Sequence, residues 1–364
     1  MPISAVDTIT LAFQHTKKQL VSPFRFWQWT RLALVGLLAG EMGSGGCNIP
    51  SGNFNLPQHS GGSRHLLGQH LLEQDWPKID PAILGGLIAV LVVSGLVFLI
   101  VMTYVSSVMR FILFDSVLAK ECHIRRGWRR RQGEGWKLFL WQLAFTIGMM
   151  AGMVVLLGIP AGIAFGLGWF TAPGEHVLGW VLGGTVVFFL LAIFLVAAAV
   201  VHVLTKDFVV PQMALDGIGA IEGWRRLWLM MRVEKGGYGR YVLMKIGLAI
   251  GAGIVIAIVT VVLALVFLIP TVGLAIAAVI GGKTAGLTWN AGTITLAVIV
   301  GCILFAVFMY LMALVSVPAI VFFPAYAMYF FAARYRALSL ALYPPPPPAG
   351  ESSGGLPLIP ETTG

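Results

Sequence analysis

A chain of 364 residues with 58% hydrophobic and only 11% charged side chains is too poor in charge for a soluble globular protein, which carries about 25%. Its mean hydropathy of +0.88 and formal net charge of +9 describe instead an integral membrane protein with a basic surface. Sequence patterns for metal-dependent or thiol catalysis (HExxH, CxxC) do not occur, so a non-enzymatic role without cofactor is expected.

The first 22 residues set Ile9, Leu11, Phe13 and Leu20 beside Thr8, Gln14, His15, Lys17 and Lys18. This amphipathic pattern is too polar for a signal-peptide core and predicts a helix lying at the membrane surface. A membrane domain over residues 23–342 follows, an all-α transmembrane bundle with spans at 24–42, 80–109, 136–159, 177–205, 241–268 and 291–323. Each run reaches the roughly 20 residues needed to cross a bilayer, although Arg31 and Glu41 shorten the first. Residues 43–79 form a polar loop in which His59, His65 and His70 have no ligand-like spacing, so no metal is expected. The three cysteines (Cys47, Cys122, Cys302) share no obvious compartment, which predicts no disulfide. Residues 343–364, with five consecutive prolines, read as a disordered cytoplasmic tail.

Lys and Arg crowd alternate loops. Lys120, Arg125, Arg126, Arg129, Arg130, Arg131 and Lys137 lie between spans two and three, and Arg225, Arg226, Arg232, Lys235 and Arg240 between four and five. The positive-inside rule then places both termini in the cytoplasm of a bacterial cell with a six-span chain in the inner membrane. Tryptophans fall at or near the proposed span boundaries, as an interfacial belt requires.

Two stretches align without a gap at an offset of 96 residues: RFILFDSVLAKECHIRRGWRR at 110–130 and KDFVVPQMALDGIGAIEGWRR at 206–226. Each joins two apolar runs, so a parallel two-helix repeat is expected, with units at about 80–176 and 177–290. An Ile-Pro pair closes the second helix of each unit at Pro160 and Pro270, where a helix is expected to kink or end. The short pieces at 161–170 and 271–281 then continue the helix or turn back. A weaker third copy, of half length, lies at 321–336.

Ionisable groups at membrane depth are Arg31, Glu41, Asp115, His202, Asp207 and Lys245. Asp115 and Asp207 sit near Arg110 and Lys206 at inner span ends, which predicts either local ion pairs or one polar cluster (Asp115, Asp207, Arg110, Lys206) between the repeats. Glycines four apart on spans three to five, such as Gly148–Gly152 and Gly247–Gly251, predict close helix contact. Arg125, Arg126, Arg129, Arg130, Arg225 and Arg226 are candidate contacts for anionic lipid. The lipid bilayer is the expected partner, with a membrane protein as a further one; nucleic acid is not expected, since no soluble domain shapes a groove.

The segment TKKQLVSPFRFWQWTRLALVGLLA, the inner helix ends RFILFD and DFVVPQM, and the Ile-Pro pairs resemble bacterial polytopic membrane proteins of uncharacterised function. These are similar to the membrane domain found beside some glycerophosphodiester phosphodiesterases. The resemblance implies the membrane fold alone. Nothing outside the spans accommodates a phosphodiesterase barrel of about 250 residues, so no catalytic residue transfers. The expected role is a scaffold, accessory or lipid-interacting subunit, the alternative a small-molecule or lipid transporter.

Overall fold

The computed structural model describes residues 6–22, 24–41, 81–170, 174, 176–284 and 291–344; Cys47, the histidines of the polar loop and the proline-rich tail from 345 lie outside them. The described residues form helices and no strand. In chain order these are α1 (Asp7–Leu20), α2 (Phe26–Leu38), α3 (Pro81–Ala119), α4 (Ile124–Gly166) and α5 (Val177–Leu204). A π-helical turn (Thr205–Val209) leads from α5 into α6 (Val210–Asp216), followed by α7 (Ala220–Val233), α8 (Lys235–Thr284), α9 (Ala291–Ala332) and α10 (Arg336–Leu342).

Five stretches are long and apolar enough to cross a membrane: Leu84–Ala119, Ile124–Gly166, Val177–Asp216, Lys235–Gly282 and Gly292–Ala332. The chain is a multi-pass membrane protein. The expected first span is shorter than its hydropathy suggested. At 13 residues, α2 reaches only about 20 Å at 1.5 Å per residue, short of the roughly 30 Å hydrocarbon core. Pro160 and Pro270 end nothing, since α4 and α8 run through them to Gly166 and Thr284. In lipid a broken helix would strand several backbone groups, whereas a proline inside one strands about one. The pieces at 161–170 and 271–281 are therefore mainly helix continuations.

The long helices are packed mainly at one end. Along α3, residues 84–102 are all exposed, whereas Val108, Phe111, Ile112 and Val117 are buried. They meet Leu138 of α4, Phe208, Val209 and Met213 around the π turn, Tyr241 of α8, and Tyr326, Phe330 and Phe331 of α9 in one core. Lipid tails are as apolar as leucine, so membrane-depth side chains have little reason to leave them for one another. Below that depth water restores the hydrophobic drive. The glycine spacing on spans three to five reports close packing at few of its positions. A Cβ on Gly148, Gly158, Gly162, Gly247 or Gly251 would meet nothing within 4 Å, and of that set Gly152 and Gly179 are crowded, by Phe194 and Trp169. Close approach occurs instead nearer the basic end, at Gly36 against Ile320, Gly135 against Val108 and Gly223 against Val209.

The two N-terminal helices are held by orphan carbonyls. The last carbonyls of a helix lack intrahelical donors, and α3 ends through Lys120 at φ 59°. Gln19 Nε2 donates to the Ser116 carbonyl at 3.0 Å and Gln28 Nε2 to that of Lys120 at 2.7 Å. His15 Nε2 donates to the Val117 carbonyl at 2.9 Å, leaving Nδ1 to accept from the Tyr329 hydroxyl at 3.0 Å. The face α1 buries is thus largely polar (Thr8, His15, Thr16 and Gln19, with Ala12 and Leu20), while Phe13 points outward.

Burial, helped by Lys120 and Lys18, lowers the His15 pKa from 6.5 and so favours this neutral tautomer. The unfolded chain then binds a proton that the folded one refuses, so His15 contributes stability above about pH 6.5 that is lost as pH falls below it. The thermal midpoint is expected to drop between pH 7 and 5.5, and His15→Gln to flatten that part of the profile. An unchanged profile in the variant counts against the arrangement.

Candidate functional site: a charged cavity and an arginine basin

Two polar features occupy the packed end. The first begins with Pro211, which lacks an N–H and cannot donate to the Asp207 carbonyl four residues back. The chain meets this with the π turn, in which the Val210 N–H bonds the Thr205 carbonyl. Such turns re-aim side chains and are frequent at functional sites. Here it carries Lys206 and Asp207 into the interior.

The two neighbours take different partners. Asp207 Oδ2 accepts from Lys245 Nζ at 2.5 Å and from the Tyr241 hydroxyl at 2.8 Å, with the Asp207 and Lys245 side chains each 3% exposed. Lys206 pairs with Glu41, just past the end of α2, and both are nearly enclosed. Arg110 completes the group, its Nε donating to the Ala39 carbonyl at 3.4 Å. Glu41, Arg110, Lys206 and Asp207 line a cavity of about 30 Å³, room for a water molecule or two. Leu113, Phe114, Pro324 and Met328 wall it.

Three of the four residues of the expected polar cluster therefore meet, with altered pairing, and Asp115 does not join them. Its carboxylate is held bidentately by Arg131 at 2.7 and 2.8 Å, while Arg131 Nη1 donates to the Ala214 carbonyl at 2.7 Å. Asp115 thus orients an arginine that caps α6, a task Lys137 shares through the Gly217 carbonyl at 3.0 Å. Arg110 and Lys206, equated by the gapless alignment, face the same cavity. Pro211 and Pro324, from the second stretch and the weaker third one, line it too. Glu41, His202 and Lys245 were marked in the sequence as costly charges; Tyr241 and Arg131 carried no such mark.

The second feature is an open basin of about 800 Å³ lined by Arg31, His123, Ile124, Arg125, Arg126, Arg129 and Arg130. The first turns of α4 supply four guanidinium groups, and α2 adds Arg31, which donates to the Cys122 carbonyl at 3.3 Å and lies 5.5 Å from the Trp27 ring centre. Among the described residues, Arg125, Arg126, Arg129 and Arg130 form no ion pair. Arg225 and Arg226 differ: both bind Glu222, and Arg226 also binds Asp216 at 2.7 Å. Those two cations are answered within the protein, whereas the basin holds its positive charge uncompensated. No group of three or more His, Cys, Asp or Glu side chains suited to a metal occurs among the described residues.

No curated protein and no solved structure matches the chain. A model described as "Family of unknown function (DUF7544)" matches residues 3–341.

Proposed function

From membership of DUF7544, to which a match over residues 3–341 assigns the chain, we propose a non-enzymatic, lipid-interacting membrane protein whose arginine basin grips anionic headgroups. The carrying observation is the unpaired set Arg125, Arg126, Arg129 and Arg130 beside Arg31. Each cation near an anionic surface contributes about 1 kcal/mol, and planar guanidinium groups suit bidentate contact with phosphate. The exposed aromatic side chains of Phe24, Phe26 and Trp27, at the start of α2 beside Arg31, suit the interfacial region where a lipid glycerol backbone lies. On this reading the basic end is cytoplasmic in a bacterial inner membrane, and both chain ends lie on that side. The aligned stretches are read as two units of a duplicated helix pair that share the cavity.

The test is native mass spectrometry of the purified protein with phosphatidylglycerol and phosphatidylcholine. Wild type should retain phosphatidylglycerol at least tenfold better. The combined change Arg125→Gln, Arg126→Gln, Arg129→Gln and Arg130→Gln should abolish that preference, and Arg225→Gln should leave it intact. Equal retention of both lipids by wild type would defeat the proposal.

A carrier for a small solute is the second reading, favoured by the charged cavity between helices from both aligned stretches. It requires that cavity to open to one side or the other, and a proteoliposome flux lost in Lys206→Gln with the fold retained would support it over the first.

A further inference from the structure

We infer that the cavity between Arg110 and Lys206 binds a small inorganic monovalent anion, chloride or one of its size. This site is separate from the headgroup basin, with which it shares no lining residue.

Arg110, Lys206 and Lys245 supply three positive charges to one connected group, and Glu41 and Asp207 supply two negative ones. Asp207 is engaged by Lys245 and Tyr241, and Glu41 by Lys206. The guanidinium of Arg110 carries five N–H donors, yet among the described residues its one hydrogen bond is the long one to the Ala39 carbonyl. That carbonyl belongs to the end of α2, and the partial negative charge of a helix C-terminus offsets only part of the excess.

An uncompensated buried charge is costly unless something balances it. Water filling the cavity would satisfy donors and leave the charge. An anion does both. The volume of about 30 Å³ admits an ion little larger than water and excludes phosphate or a carboxylic acid. One wall is apolar, from Leu113, Phe114 and Met328, which suits weakly hydrated halides. The other presents Arg110 and Lys206, the cations that the two aligned stretches place at the same position.

The experiment uses the full chain, purified in detergent and exchanged into sodium gluconate, with chloride, bromide or nitrate added back. Equilibrium binding of radioactive chloride should saturate at one ion per chain, and the thermal midpoint should rise along the same curve. Arg110→Gln should weaken binding at least tenfold while phosphatidylglycerol retention by the basin is unchanged, which separates this site from the lipid site. Glu41→Gln removes the carboxylate that competes for Lys206 and should tighten binding about tenfold, keeping the inference testable if Arg110→Gln fails to fold. A midpoint that drifts without saturating, wild-type affinity in Arg110→Gln, or no tightening in Glu41→Gln would overturn it.

Discussion

Asp207→Ala should be among the most damaging single substitutions in the chain, lowering stability by about 3–5 kcal/mol, the usual cost of stranding one partner of a buried ion pair. The carboxylate is the hydrogen-bond acceptor for Lys245, which is 3% exposed, and for the fully buried Tyr241. Its loss leaves an ammonium and a hydroxyl without an acceptor in the packed end of the bundle. Thermal unfolding in detergent, followed by tryptophan fluorescence, is the measurement. The double change Asp207→Leu with Lys245→Met should recover most of the loss, because removing both charges avoids the stranded one. If Asp207→Ala unfolds like wild type, the pair is not buried as described.

Gly135→Leu should be nearly as severe, for a steric reason. A Cβ there would stand 2.5 Å from Val108 Cγ2 and 3.2 Å from Val108 Cα. A side chain can turn aside but backbone cannot, so α3 and α4 must separate at this contact. Overpacking of this kind costs about 1–3 kcal/mol, occasionally more. Gly148→Leu on the same helix faces open space and should change the midpoint little, within about 0.5 kcal/mol. Val108→Ala in the Gly135→Leu background should restore part of the loss. Equal effects at positions 135 and 148 would refute the asymmetry of the packing.

That asymmetry also marks where sequence reasoning succeeded. Apolar runs located the membrane-crossing stretches after the first because lipid solvation acts on each helix separately. Their inner ends were underestimated: α3 continues to Ala119 and α5, with its π turn and α6, to Asp216, past residues such as Arg110, Asp115, Lys206 and Asp207 that look like loop when hydrocarbon is the only solvent considered. The alignment of 110–130 with 206–226 found Arg110 and Lys206, and the structure places both on one cavity. It could not find Glu41 as the partner of Lys206, since 165 residues separate them and no local pattern links them. Arg131 was hidden among six neighbouring cations; only the α3–α4 turn shows that it alone reaches Asp115. Likewise all six candidate arginines looked alike until Glu222 and Asp216 were seen to neutralise two of them.

The most apolar 18-residue window of each membrane-crossing stretch is 6% buried or less within the chain. These outer portions therefore behave much like cantilevers, clamped at the basic end and tied at the other by few contacts, such as Trp169 against Gly179. Hydrophobic mismatch costs fractions of a kcal/mol per ångström and is met by tilt. A thicker or thinner bilayer should change the lean of these helices and leave the clamp undistorted. The arginine basin and the charged cavity would keep their geometry across membranes of different thickness, with elastic strain absorbed where no polar chemistry depends on it.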